Sequence, residues 1–436
     1  MQKNHLIVLL FLCSFQFLFS QNSTSLDNFL ANARQNTPAL SENKNLRQIG
    51  EIQNDIIRAQ NKAFQVNATS EVLFAPYFAN NGHIIDVTTM PSSTAYGYDV
   101  GITNGGLYTA QVNVTKNLFN QAIVDNLLFQ NKIMNEALSL TAEEISHNLT
   151  KNITDAYVMA YQLQLQEDFT KTILKDLEKR LEVLELLVKR GILQESDYLL
   201  LQLDIESKEL ELQQIQNNLN VAINQLFSLS GMTAQTIGRM DEPIIPSEDI
   251  IFPIRQTGKE LEHFYERKFF NDSLQIAADQ RVFENSYKPQ LSAYGNTGLN
   301  AVEIPNIGHR IGMSAGLRLT IPIYDGRQHQ FNATQSRLKE ESLEFYRENS
   351  KIQLENNLES IKTQMMALEK NKALLEKQLQ KQKNVLEIYK GKLVQGQVSI
   401  VDYLNVIQNY KQNVYTQLQM QTNMWLLQSQ YNFINW

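Results

Sequence analysis

Two turn sequences of the chain share a glycine and an Asp-Tyr-Leu at the same spacing, 205 residues apart. The stretch KRGILQESDYLL carries Gly191 and Asp197, and the stretch VQGQVSIVDYLN carries Gly396 and Asp402. Each interrupts a long helical pattern, which then resumes at Asp-Tyr-Leu. Because glycine readily takes the left-handed conformation that ends a helix, each stretch predicts a reversal between two helices.

The chemistry open to the two aspartates is that of a carboxylate at the start of a helix. Ser399 and Asp402 have the spacing of an N-cap followed by an acidic third helical residue, and Asp197 follows Ser196 in a comparable position. A carboxylate at this place stabilises the positive end of the helix dipole. Helix capping is therefore the simplest role for both aspartates, because it involves only the turn and the helix that follows it.

Residues that could bind a metal or carry out catalysis are scattered along the chain. None of the six histidines has a partner at a metal-ligand spacing: His5, His83, His147, His263, His309 and His329. The chain contains no G-x-x-x-x-G-K-[ST] phosphate loop and no nucleophile elbow. The sequence predicts a protein that is not an enzyme, needs no cofactor and depends on a partner for energy.

Two long helices must position the turns. From Gly326 to Gln395 the chain has no proline, and Gly391 is its only internal glycine. Apolar residues recur there at steps of three and four, as in a coiled coil, with Lys372 and Gln382 as polar exceptions: Leu358, Ile361, Met365, Leu368, Leu375, Leu379, Leu386, Tyr389 and Leu393. About 70 residues at 1.5 Å each make a helix on the order of 100 Å long. The segment from Gln121 to Arg190 allows the same, and this length suits a tube or a spacer.

A period of two predicts a strand before each long helix. From 311 to 323 the odd positions are apolar: Ile311, Met313, Ala315, Leu317, Leu319, Ile321 and Ile323. In the first copy Tyr108, Ala110, Val112 and Val114 keep the same phase. Partner strands are predicted at 66–74 and 291–299. Such strands put one face in an apolar medium, either the lipid of a barrel or, as the alternative, a helical body on which two soluble hairpins pack.

Two kinds of side chain on these strands have two interpretations each. Arg318 lies on the polar face and would point into a lumen, or it is a surface arginine. Aromatic residues near the strand ends suit interfacial girdles or an ordinary core: Tyr77, Tyr108, Phe119 and Tyr324.

The beginning of the chain predicts export. Lys3 and His5 precede an apolar run, 6–19, that is too short to span a bilayer and has the pattern of a signal peptide. Cys13, the one cysteine, lies in this run, so the exported chain needs no disulfide. No later segment has about 20 consecutive apolar residues. The net charge of -7, without a basic patch, argues against nucleic acid as a partner.

Four strands do not close a barrel. Single-chain barrels begin at about eight strands, and lipid does not tolerate unpaired backbone edges. If the strands enter a membrane, several copies of the chain must therefore share one barrel.

These features together resemble the TolC-like outer-membrane efflux proteins. The order is a signal peptide, a duplicated strand pair, P-I-Y-D-G at Pro322 to Gly326 leading into a heptad helix, and G-x-x-S-x-x-D at Gly396 to Asp402. The resemblance covers nearly the whole exported chain, and it depends on the order of the motifs more than on any one of them.

The resemblance implies an α+β membrane protein. Three copies would supply four strands each to a twelve-stranded β-barrel in the cell outer membrane, continuous with a periplasmic α-helical barrel. The predicted divisions are a signal peptide at 1–20, a first repeat at 21–230, an equatorial linker at 231–258 and a second repeat at 259–436. The predicted strands are at about 66–75, 108–118, 289–299 and 311–323. The predicted helices are at about 25–64, 121–190, 197–230, 259–286, 327–395 and 400–433.

The resemblance also implies that the turns form the periplasmic tip. Asp197, Asp402 and Asn405 would line the pore constriction, where threefold rings of carboxylates favour cations. An adaptor (membrane fusion) protein would dock at the turns, at Gly191, Gly396 and Ser399. The remaining implied partner is an inner-membrane transporter of the RND or ABC type.

Two positions depart from the family pattern. Val398 stands where a basic residue is usual, and Asn405 is neutral where an acid can occur. Closure of the tip would then rest on packing and hydrogen bonds more than on salt bridges.

Two functions from different classes follow. The first is a passive exit duct of a tripartite efflux pump or of a type I secretion system, with no cargo identified by the sequence. The second is a periplasmic coiled-coil adaptor or scaffold without a pore. Adaptors usually have one helical hairpin and many short strands, whereas this chain has two hairpin halves and few strands.

Overall fold

A computed structural model describes residues 25–79, 86–88, 96, 106–235, 237–245 and 264–436. Within them the helices are α1 (Leu26–Asn36), α2 (Pro38–Lys62), α3 (Gln121–Lys189), α4 (Glu195–Leu229), α5 (Phe264–Glu284), α6 (Gln328–Val394) and α7 (Ile400–Ile434). The strands are β1 (Gln65–Phe74), β2 (Tyr77–Ala79), β3 (Asp86–Thr88), β4 (Gly106–Leu118), β5 (Gln290–Ala301) and β6 (Ile311–Thr320).

Several predictions concern residues outside this description. They are the signal peptide at 1–20, His83 with most of the loop between the first two predicted strands, the linker from 246 to 258, and the start of the next predicted helix with His263. None of the helices described is both long enough and apolar enough to cross a membrane.

The chain divides into two compact units, and each draws on both sequence repeats. The helical unit comprises Met1–Asn43, Leu140–Glu266 and Glu348–Trp436. The sheet unit comprises Lys44–Ser139 and Arg267–Arg347.

The sheet unit contains a four-stranded antiparallel sheet in the order β1-β4-β5-β6. The last two strands form a hairpin joined by the 3-10 helix Ile304–His309. Strands β1 and β6 are the two edges of this sheet. Their outer backbone groups pair with no other strand among the residues described.

The strand register gathers apolar side chains on one face. Val66 lies opposite Val114, Ala110 opposite Leu299, and the same rule continues into β6. This face is bare in the single chain, since Val72 is 75% exposed and Met313 is 87% exposed. The predicted alternation is therefore present, and no helical body covers it among the described residues.

The helical unit contains the duplicated hairpins. Helices α4 and α7 both have 35 residues, and their bounds differ by the offset of 205 at each end. Helices α3 and α6 end at Lys189 and Val394, which differ by the same offset. The helical repeat is thus retained residue by residue at the turns.

Buried aromatic residues tie the amino-terminal helix to this unit. Phe29 of α1 packs against Tyr157 and Phe227, with ring centroids 6.0 and 5.8 Å away. All three are almost fully buried in one cluster. Burial of each such side chain contributes about 2 to 3 kcal/mol, so this contact holds α1 on the α3–α4 hairpin.

Two predicted boundaries are wrong, and proline explains both. The single helix expected over 25–64 is two helices, because Thr37, before Pro38, is extended with a ψ of 119°. Strand β6 ends at Thr320 instead of 323, since Pro322 has no N–H to donate to a ladder.

Candidate functional site

Both turns end their first helix through a left-handed glycine. Gly191 has a φ of 72° and Gly396 a φ of 67°. The Gly191 N–H donates to the Val188 carbonyl at 2.9 Å, and the Ile192 N–H donates to the Leu187 carbonyl at 3.0 Å. These two bonds define a Schellman motif, which satisfies carbonyls at the helix end. The second turn has the same pair of bonds 205 residues later, at 3.0 and 2.9 Å.

Both aspartates take part in the cap of the helix that follows. The Ser399 hydroxyl accepts from the Asp402 N–H at 3.1 Å and donates to the Asp402 carboxylate at 2.7 Å. In the first turn Asp197 accepts from the backbone N–H of Gln194 at 3.2 Å. The capping interpretation is confirmed, but the N-cap of α4 is Gln194, which occupies the place of Ser399, and Ser196 lies inside the helix.

The structure brings the two turns together. A Cβ on Gly396 would lie 3.6 Å from Cγ2 of Ile192. Leu193 of the first turn and Val398 of the second both pack against the apolar cluster around the buried Leu393. Val398, where a basic residue would carry a salt bridge, therefore contributes to packing.

The predicted pore residues differ in exposure. Asp402 and Asn405 lie on the exposed face of α7, and Asp197 is half-buried. The opposite face of α7 is the buried one, with Tyr403 and Ile407 in the core of the hairpins. A single chain has no constriction, so the pore role of these residues remains a prediction, as does the docking role of Gly191, Gly396 and Ser399.

A charged network joins the helices next to the turns, and the sequence did not predict it. Asp176 of α3 accepts from Lys390 of α6 at 3.1 Å, and Arg180 lies 3.8 Å away. The hydroxyl of the fully buried Tyr403 lies 3.5 Å from the same carboxylate. Burial, together with the charge of Asp176, raises the pKa of Tyr403 above its ordinary value. The network fixes α3, α6 and α7 to one another.

A second network joins α4 to α7. The Glu211 carboxylate contacts the ammonium groups of Lys411 and Lys208, and it accepts a hydrogen bond from the Tyr415 hydroxyl at 3.0 Å. Both lysine side chains are less than one tenth exposed. Burial opposes ionisation of Glu211, but the hydrogen bond and charge of Lys411 hold the pKa of that carboxyl below its ordinary value. Burial lowers the pKa of Lys411, against the attraction of Glu211.

Neither network has a local sequence signal. The contacts that join different helices link residues about 200 positions apart in the chain, as Lys411 and Glu211 do. Lysine at an otherwise apolar helix position, such as Lys411 between Ile407 and Tyr415, is the one feature that could have indicated a buried partner.

The polar face of the sheet carries a row of amides. Asn67, Asn113, Asn296 and Ser314 lie side by side across the four strands. Ser314 donates to Asn296 at 2.8 Å, and Asn113 donates to Thr69 at 2.8 Å. Arg318, on the same face, lies with its guanidinium 5.4 Å from the Tyr294 ring centroid. The face is thus hydrogen-bonding and almost uncharged.

No metal site is present among the residues that the structure describes, where no three His, Cys, Asp or Glu side chains are suitably grouped. His147, for instance, stacks on Trp436 with ring centroids 4.0 Å apart. Its Nε2 lies 2.9 Å from the Phe433 carbonyl oxygen, which indicates a role in packing.

Comparison by sequence finds no family model and no curated protein that matches the chain. Solved structures do match over nearly its whole length. The outer membrane protein VceC from Vibrio cholerae is 13% identical with a TM-score of 0.68, over 94% of this chain and 96% of VceC. CusC is 13% identical with a TM-score of 0.70, over 95% of this chain and 92% of CusC.

A third similar structure is the MtrE outer membrane channel of Neisseria gonorrhoeae in its open state. It is 14% identical with a TM-score of 0.66, over 94% of this chain and 88% of MtrE. At these identities the likeness concerns the fold. The resemblance that the sequence motifs indicated is confirmed at that level, and the chain has the fold of the outer membrane channels VceC, CusC and MtrE.

Proposed function

We propose that the chain is the outer-membrane exit duct of a tripartite efflux pump or a type I secretion system. It conducts cargo passively from an inner-membrane pump and a periplasmic adaptor to the exterior. The likeness in fold to outer membrane channels supports this proposal. The protein acts without catalysis of its own and belongs in the cell outer membrane, with its helices in the periplasm.

The four-stranded sheet is the observation that supports the proposal most directly. Within the part of the chain that the structure describes, one face is a bare apolar surface in register, the other is polar, and both edges are open. A sheet with one such face in water would be an aggregation hazard, whereas lipid would cover it and a lumen would suit the polar side. Open edges in lipid are costly, so other strands must complete them. Three copies of four strands give twelve, which closes a barrel.

The paired turns form the periplasmic tip in this proposal. Asp197, Asp402 and Asn405 line the constriction of the trimer, where the threefold carboxylates attract cations. The adaptor docks on the turns at Gly191, Gly396 and Ser399. The inner-membrane transporter, of the RND or ABC type, supplies the energy.

Planar bilayers test the proposal. The detergent-extracted protein should be a trimer with heat-sensitive β structure, and it should give discrete conductance steps that divalent cations reduce. A stable single-copy species that is absent from the outer-membrane fraction and gives no conductance would contradict it. That outcome would favour a periplasmic scaffold without a pore.

A further inference from the structure

One charged side chain lies on the apolar face of the four-stranded sheet. The register places Lys116 of β4 opposite Ala293 of β5, in the same phase as Val114 and Leu118. Every other residue that the four described strands place on this face is uncharged. A lysine on an apolar face calls for a partner that attracts its charge.

Lys116 lies at the border of this face. The apolar face of β4 takes every second residue from Gly106 to Leu118, and Lys116 is the last but one. Leu118 ends the strand, and α3 begins soon after it, at Gln121. A charge in the middle of a lipid-facing sheet is costly, whereas a charge near its border lies at the level of the lipid head groups. The position of Lys116 therefore suits a cation that meets the membrane surface on the side of the helices.

The charge of Lys116 is not neutralised within the chain. Lys116 makes no ion pair with any residue that the structure describes, and its Nζ lies 4.4 Å from the ring centroid of Phe64. Phe64 comes directly before β1 and is 64% exposed. An aromatic ring attracts a cation without removing its charge. The contact therefore holds a full positive charge beside the apolar face, and Lys116 is only partly buried.

Exposed aromatic side chains lie near the same ends of the strands. Phe119, which follows β4, is 92% exposed, and Tyr324, which follows β6, is 82% exposed. Tyr77, by contrast, is 3% exposed and belongs to the core. Phe119 also has a φ of 55°, which strains a bulky residue. Exposed rings at the end of an apolar face are typical of the boundary between membrane and water.

The apolar face is low beside Lys116. Its neighbour on β5 is Ala293, and the next two positions of the face on β5 and β6 are Gly295 and Ala315, which lie opposite each other. None of the three has a side chain longer than a methyl group. Small residues let a ligand approach the backbone closely, so an acyl chain could lie here directly below the ammonium group.

We propose that Lys116 binds the head-group phosphate of an anionic phospholipid, whose acyl chains lie on the apolar face beside Ala293 and Gly295. The site rests on the proposed function, since it requires that this face lies in a membrane. A lipid with a net negative charge is preferred to a zwitterionic one, because Lys116 has no carboxylate partner among the described residues. The site fixes the depth of the sheet in the membrane at the level of Lys116 and Phe64.

Quenching by brominated lipids tests the site. The variant Phe64→Trp places a fluorescent ring beside Lys116, and the natural tryptophans, Trp425 and Trp436, both belong to the helical unit. The protein is reconstituted in mixed bilayers in which either phosphatidylglycerol or phosphatidylcholine is brominated, and the signal of the unsubstituted protein is subtracted. Quenching should show that phosphatidylglycerol binds about fivefold more strongly than phosphatidylcholine, because one lysine attracts the anionic head group.

Charge variants of the same protein separate Lys116 from its surroundings. Adding Lys116→Gln should abolish the preference for phosphatidylglycerol, whereas adding Lys116→Arg should keep it, because arginine retains the charge. The matched control, Lys339→Gln, removes an exposed lysine of α6 and should also keep the preference.

Three results would contradict the site. If the preference survives Lys116→Gln, or if Lys339→Gln abolishes it equally, the head-group site is overturned and the exit duct is not. The site is also overturned if the protein conducts ions in planar bilayers but no brominated lipid quenches the new tryptophan. If quenching is absent and the unsubstituted protein does not conduct either, the proposed function itself fails.

The depth of the bromine atoms gives an independent readout. Lipids brominated near the glycerol should quench the variants Phe64→Trp and Phe119→Trp more strongly than lipids brominated near the chain ends. Val112→Trp, in the middle of the apolar face, should show the reverse order. The same order in all three variants would contradict the position of Lys116 at the border of the face.

Discussion

The Tyr403 hydroxyl lies 3.5 Å from the Asp176 carboxylate in the core of the second hairpin, whereas Tyr198, its equivalent in the first hairpin, is partly exposed. Replacement of Tyr403 by Phe should lower the free energy of unfolding by about 1 kcal/mol, since a buried hydrogen-bonding group is lost. Tyr198→Phe, the matched control, should change it by less than about 0.5 kcal/mol. Urea unfolding followed by circular dichroism measures both, and equal effects would contradict the difference in burial.

Gly391 inside α6 and Gly396 in the turn after it predict opposite effects for the same substitution. Gly396→Ala should destabilise the protein by about 1 kcal/mol, because its φ of 67° strains a residue with a Cβ. Gly391 lies inside α6 with open space around it, so Gly391→Ala should stabilise the protein by about 0.5 to 1 kcal/mol. Thermal unfolding of the two variants checks the signs. If both variants change the stability in the same direction, the left-handed conformation of Gly396 is contradicted.

The buried ion cluster predicts a large effect from one amide substitution. Glu211→Gln leaves the buried Lys411 without its carboxylate and Lys208 with Asp204 alone, and it should cost about 3 kcal/mol of unfolding free energy. Glu209→Gln, two residues away and exposed, should be neutral within about 0.5 kcal/mol. A Glu211→Gln variant as stable as the wild type would show that the pair contributes nothing.

The same carboxylate predicts a pH dependence. Because the pKa of Glu211 is lower in the folded protein than its ordinary value of 4.5, its contribution is present above that value. It is lost as the pH falls through the lower, folded pKa. Urea midpoints measured from pH 6 down to about pH 3 should therefore fall more steeply for the wild type than for Glu211→Gln. If the urea midpoints of the two proteins fall in parallel with pH, the lowered pKa of Glu211 is contradicted.

The acidic turns predict a cation effect on conductance. In the double variant Asp197→Asn, Asp402→Asn, divalent cations should block the channel at a concentration at least tenfold higher than in the wild type, because two carboxylates per copy are gone. The variant Asp197→Glu, Asp402→Glu keeps the charge and should keep the block. Single-channel recordings with added Mg²⁺ compare the three proteins. Unchanged block in the amide variant would remove these residues from the constriction.

The amide row predicts a change in ion selectivity. Asn113 lies in the middle of the polar face, and Asn113→Asp would add three carboxylates to a trimeric lumen. Reversal potentials in a salt gradient should shift toward cation selectivity, while Asn113→Gln should leave them unchanged. If neither variant shifts the potential, the polar face does not line the conducting path.

The parts of the fold that could be read from the sequence are those that depend on neighbours in the chain. The offset of 205 predicts the matching bounds of α4 and α7, and alternation predicts the two faces of the sheet. A left-handed glycine ends a helix through hydrogen bonds to carbonyls no more than four residues before it. The helix ends at Gly191 and Gly396 could therefore be predicted from the sequence.

What could not be read depends on residues that are distant in the chain. No local pattern places Asp176 beside Lys390 and Tyr403, because three helices must first assemble. The N-cap at Gln194 was missed because its backbone N–H, and not a serine hydroxyl, bonds to Asp197. The break at Thr37 is an exception, because Pro38 marks it locally: the residue before a proline disfavours the helical conformation.

The open edges of β1 and β6 have a consequence for how this protein is made. A single copy that has folded its sheet exposes two unpaired edge strands and an apolar face before it meets other copies. Such a molecule avoids aggregation when it assembles quickly with other copies or when a chaperone binds it. Overproduction should therefore be toxic through misassembled chains, at levels lower than those at which the assembled protein becomes harmful.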